Sequence, residues 1–157
     1  MNEWNLNASS GRENVHGCLV GQFNSAGRQL LRLEITITGS FWRRDTPIGV
    51  AETVNDFSVK LPQVISRKDN IDFLILELSD WLKNPKEVSV DLASNCNNDQ
   101  SFRLSLGVRD DLISSVDRPA CTINYTGTAF KYGEWCFVID QSCVRNWYDE
   151  LKSFDIS

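Results

Sequence analysis

The feature that most constrains this chain is an alternation of apolar and polar residues with a period of two. Leu31, Leu33, Ile35 and Ile37 alternate with Arg32, Glu34, Thr36 and Thr38. Successive side chains of a strand point to opposite faces, so this pattern describes a strand with one buried face and one wet face. The pattern returns in Val88, Val90 and Leu92, and in Phe102, Leu104, Leu106 and Val108, with Ser89, Asp91, Arg103 and Ser105 interleaved. A shorter copy runs through Phe57, Val59 and Leu61. Such a chain has to build a sheet, and the apolar face of that sheet needs a cover.

Punctuation between these runs gives the connections. Asn24, Ser25, Ala26 and Gly27 form a turn cluster, with a strand expected from His16 to Phe23 before it. Pro62 is expected to end the strand that starts at Phe57, because proline cannot donate to a ladder. The stretch from Phe41 to Glu52, punctuated by Pro47 and Gly49, is left open. The 88–92 and 102–108 runs read as a hairpin. Cys121 to Thr126 and Glu134 to Ile139 read as the last two strands.

Two segments change period. Ile71, Leu74, Ile75, Leu78, Trp81 and Leu82 follow the spacing of a helix face, with Asp69 expected as the cap and Asn84 and Pro85 as the stop. Val144, Trp147, Tyr148, Leu151 and Phe154 make a second stripe behind Asp140, which is placed to cap it. Residues 1–15 are polar and read as a flexible leader. Residues 16–157 then form a single α+β domain: a twisted, mostly antiparallel sheet of six or seven strands with two main helices.

Composition excludes several classes. The 157 residues carry a formal charge of −5, and the negative excess lies after residue 44. That disfavours direct nucleic-acid binding, which needs a cationic face. No apolar run approaches the ~18 residues of a membrane span. Met1 to Asn5 lack a cationic start and an apolar core, so no secretory signal is read and a cytoplasmic location is expected. Five cysteines without CxxC spacing and a single histidine argue for reduced thiols and against a zinc site.

Catalytic signatures are missing: no GxSxG, phosphate-binding loop, HExxH or kinase motif occurs. His16 is one candidate base, and the carboxylate pairs Asp69/Asp72, Glu77/Asp80, Asp110/Asp111 and Asp149/Glu150 are others. Each has a plainer reading as strand or surface. Phe41, Trp42, Arg43 and Arg44 form the only aromatic and basic cluster, suited either to stacking a base or to an edge strand with extended arginines. No cofactor is expected.

One resemblance bears on function. The strand Glu134 to Ile139 runs into Asp140, Gln141 and Ser142 and then an amphipathic helix with Trp147, Leu151 and Phe154; upstream, the Phe73 to Trp81 helix precedes the 88–108 hairpin. This order, over roughly residues 30–155, resembles bacterial immunity proteins of the WapI type, encoded beside polymorphic toxins. The resemblance implies a cytoplasmic, non-enzymatic protein that binds the C-terminal domain of a cognate toxin, a nuclease by expectation, and covers its active site with an acidic surface. Complementary charge would speed that encounter. The contacts expected are the loop carboxylates Asp99, Asp110, Asp111 and Asp117, then Asp72, Glu77 and Asp80 on the helix. The alternatives are a small enzyme using His16 or a carboxylate pair, and an adaptor module with the same architecture.

Overall fold

A computed structural model describes residues 3–46, 48–50, 52–93, 101–107, 119–127 and 132–153. Its elements in chain order are β1 (Glu3–Asn7), β2 (Asn14–Ser25), β3 (Arg28–Arg44), β4 (Glu52–Arg67), α1 (Lys68–Lys83), β5 (Val88–Asp91), β6 (Ser101–Gly107), β7 (Ala120–Thr126), β8 (Gly133–Val138) and α2 (Gln141–Lys152). Among the described residues, eight strands form one sheet in the order β1-β2-β3-β8-β7-β6-β5, with β4 on the other side of β3. All of its pairings are antiparallel.

β3 is the spine. Arg28 to Thr38 pair with β2, while Trp42 to Arg44 pair with β8 on the same side. β4 runs along the opposite side over almost the whole length. Gly39 marks the change of partner. Its φ is +122°, and a Cβ there would lie 2.4 Å from the Arg12 carbonyl oxygen, so only glycine fits. A backbone bond from Ser9 N–H to the Val138 carbonyl, 3.0 Å, ties the β1–β2 connection to β8.

The alternating residues stack in rows across the sheet. On the inner face one row is Leu6, Val15, Ile37 and Val59, and the next is Trp4, Gly17, Ile35 and Leu61. In the other half, Val90, Leu104, Ile123 and Trp135 line up, as do Val88, Leu106, Cys121 and Phe137. These rows join the buried faces of α1 and α2 in one apolar core. Ile71, Leu74, Leu78 and Trp81 of α1, and Val144, Trp147 and Leu151 of α2, supply the cover. Cys121 acts as a small apolar residue there, its thiol pushed well up by burial.

Several expectations are corrected. The six or seven strands expected understate the sheet: among the described residues eight strands curl into a half-barrel, antiparallel and with two helices against it, so the α+β expectation holds only in part and the balance lies toward β. Residues 3–15 are no loose leader. Glu3–Asn7 form an edge strand whose Trp4 and Leu6 are fully buried. The Trp4 ring meets the Trp147 ring of α2 at 5.9 Å, and it lies so close over Gly17 that a Cβ there would come within 2.2 Å of it. Two apolar residues in a polar pentad are too short a run to show periodicity, so burial came from pairing rather than local pattern. Pro62 does not end its strand. It falls where the register shifts between Leu33 and Ile35, a bulge that asks no ladder bond of it.

The helix starts differ. Asp69 lies in the first turn of α1 while Arg67 occupies the cap position and makes no side-chain bond there. Asp140 does cap α2, accepting from Cys143 N–H at 2.9 Å and from the Ser142 hydroxyl at 2.6 Å. These donors hold its pKa at about 2, below the ordinary 3.8. Phe154, expected on the stripe of α2, lies outside the described residues.

Two outcomes follow. Trp4→Ala is expected to cost about 3–5 kcal/mol in urea unfolding, and an unchanged midpoint would remove β1 from the core. Asp140→Ala is expected to cost about 1 kcal/mol above pH 4. Because the folded pKa is depressed, wild type holds this advantage above the unfolded value of 3.8 and loses it as pH falls toward about 2. A difference that grows on acidification would contradict the cap assignment.

Candidate functional site

The covering helix α1 turns one stripe inward, and geometry then decides what its outer face shows. At 100° per residue, Asp69, Asp72, Phe73, Leu76, Asp80 and Lys83 lie opposite the buried stripe. Phe73 is 49% exposed and Leu76 65%. Scattered apolar residues on a surface are ordinary, but these two sit about one turn apart and make a patch. Charged groups rim it. Lys68 Nζ lies 3.0 Å from Asp72, and Lys86 Nζ lies 3.6 Å from Glu77 and 3.9 Å from Asp80.

The expected contact residues thus divide. Asp72, Glu77 and Asp80 come together on and beside this face, but each has a lysine within reach. The face is a mosaic of both signs around an apolar centre rather than a bare anionic surface. Such exposed pairs contribute little to stability, roughly 0–1 kcal/mol each, so the groups stay available to a partner. Asp99, Asp110, Asp111 and Asp117 lie outside the described residues. Helical periodicity does not single out Phe73 and Leu76, because it selects only the inward stripe. The signal was present in their being apolar at positions the stripe leaves out.

The strongest electrostatics lie elsewhere, on the outer face of the sheet. Arg44, Glu134, Asn124, Arg103 and Asp91 form one row across five strands. Glu134 is only 1% exposed. Arg44 Nε donates to it at 2.7 Å and Asn124 Nδ2 at 2.8 Å. Removing one partner from such a buried pair costs about 3–5 kcal/mol, which marks it as structural. Arg44 and Arg43 therefore form neither a stacking clamp nor an edge pair. They point to opposite faces of the central strand β3, and Arg43 stacks on Phe57 at 4.9 Å while lying 2.8 Å from Asp45. Trp42 packs on Ala120 and Cys136.

The catalytic candidates stay apart. His16 is half-buried on β2, with Glu3 on β1 at 3.7 Å. Asp69 and Asp72 occupy the outer face of α1. Glu150 accepts from Asn5, through its backbone N–H at 3.0 Å and its side chain at 3.3 Å. Among the described residues, no group of three or more His, Cys, Asp or Glu is gathered as metal ligands would be. A depression of ≈ 350 Å³ beside Glu87 is lined by Ser89, Ser105 and Thr122, whose hydroxyls extend the outer polar face. Among the described residues, no helix is long and apolar enough to cross a membrane.

No family profile, curated protein or solved structure matches the chain.

The surface assignment has a simple check. Leu76→Ser is expected to shift stability by less than about 0.5 kcal/mol, whereas Leu74→Ala, two residues away, costs about 2–5 kcal/mol. Comparable losses from both would place Leu76 in the core.

Proposed function

We propose that this chain is a protein-binding immunity protein that works in the cytoplasm by covering a cognate toxin domain. The observation that carries this reading is the outer face of α1, where exposed Phe73 and Leu76 sit inside a rim of Asp69, Asp72, Asp80 and Lys83. A recognition surface has this anatomy: an apolar centre that loses its water on contact and a charged rim that orients the encounter. The formal charge of −5 favours a cationic partner, consistent with a nuclease toxin. The toxin partner is inferred from the sequence resemblance. The action needs no bond-making, only complementary shape and charge over an area of about 800 Å² per partner.

Co-expression with the C-terminal domain of a toxin encoded beside this chain is the test. Growth should be restored and the two proteins should co-elute. Leu76→Asp should weaken the complex by tenfold or more, about 1.4 kcal/mol. Reversing Asp72 and Asp80 to lysine should slow association and flatten its dependence on salt. Neither rescue nor a complex would overturn the proposal, and full affinity in Leu76→Asp would take the contact away from α1.

A further inference from the structure

Beside this helix face lies an open sheet edge. Among the described residues, the sheet has three strands with a single neighbour: β1, β4 and β5. An edge exposes backbone N–H and C=O groups that template further pairing, and proteins blunt such edges. β1 is covered, for its Asn5 N–H is bonded to the Glu150 carboxylate of α2 at 3.0 Å. β4 is broken by the bulge at Pro62 and by Asp56, whose φ of +53° interrupts the extended run. Among the described residues, β5 carries neither device.

The register of β5 says which groups are free. Residues of an antiparallel pair alternate between sharing both bonds and sharing none. Leu92 N–H donates to the Phe102 carbonyl at 2.7 Å. Counting back in twos, Val90 opposite Leu104 and Val88 opposite Leu106 bond to β6. Ser89 and Asp91 therefore turn their backbone N–H and C=O away from β6, toward the open side. That side opens on a groove of ≈ 470 Å³ whose far wall is Arg67, Asn70 and Phe73, and whose near wall is Ser89, Val90, Asp91 and Ala93. Arg67 Nε is buried there without a hydrogen-bond partner, and the Phe73 ring is half exposed.

We propose that this groove binds an extended peptide segment of a partner protein, which adds to the edge of β5 as a further strand. The chemistry of the walls describes the occupant. Backbone amides pair with Ser89 and Asp91, an apolar side chain lies against Phe73, and a carboxylate or carbonyl oxygen accepts from Arg67. Strand addition of this kind takes affinity from the main chain and selectivity from alternate side chains. The site goes beyond the immunity reading and does not depend on it.

The experiment selects peptides of about eight residues from a displayed random library on the immobilised full chain. Enriched sequences should alternate apolar and polar residues and include an acid. Synthetic copies should protect the Ser89 and Asp91 amides from hydrogen exchange. Ser89→Pro removes an outward N–H and the exposed hydroxyl contact with Ser105 at 3.3 Å, but no backbone bond to β6, so it should melt close to wild type and bind about tenfold more weakly. Should that variant fold poorly, two other measurements decide: Phe73→Asp should lose the peptide, and so should a peptide N-methylated at alternate amides offered to wild type. No enrichment, or peptides indifferent to these changes, overturns the proposal. So does a dimer of the chain that Ser89→Pro dissolves, since the edge would then be pairing with itself. No toxin is present, so the result is read independently of the co-expression test.

Discussion

The rest of the structure depends on β3 holding two different partners along one edge. Its first part pairs with β2 and its last three residues pair with β8. The switch happens at Gly39, where the backbone of Arg12 and Glu13 crowds in. That junction turns two small sheets into one curled surface. Neither half could bury its apolar rows alone; joined, they share a core that α1 and α2 can cover. Large aromatic side chains set the fit. Trp4 and Trp147 close one end, and Trp135 and Phe57 meet at 6.0 Å in the other half.

The outer face follows from the inner one. Once every second residue of the strands is committed inward, the alternate residues form polar rows, and cross-strand neighbours of opposite charge settle opposite one another. Asp91 with Arg103 is such a pair, and Lys60, opposite Thr36, reaches Glu34 diagonally at 3.2 Å. Where the row is buried, at Arg44 and Glu134, the same pairing becomes a structural need. The helix α1 stands between these two regimes. It connects β4 to β5, and its inner stripe seals the core. Its outer stripe carries Phe73 and Leu76 into solvent, while its start forms one wall of the groove along β5. A single element therefore ties fold to recognition.

Much of this was legible locally. Period-two runs marked β3, β5 and β6, and the stripes of α1 and α2 were correct in their buried residues. The turn at Ala26 and Gly27, both at positive φ, was visible in its residues. What failed was whatever local pattern does not carry. β1 owes its burial to Gly17 across the ladder and Trp147 across the core. β4 continues past Pro62 because β4 itself bulges there, with Pro62 and Gln63 falling opposite Glu34 of β3. Asp69 looked like a cap until Arg67 took that position. Of the candidate site, the acids on α1 were legible, but their lysine partners were not foreseen, since Lys86 reaches Glu77 and Asp80 from beyond the helix end.

By itself, then, the sequence determined that this chain forms an antiparallel sheet with one apolar face and two amphipathic covering helices. Periodicity is a property of neighbouring residues and survives any arrangement of the strands. Only the tertiary structure decided how many strands join, where β3 changes partner, and which edge remains open. Those outcomes depend on pairing and crowding between residues far apart in the chain, for which no local spacing holds the information.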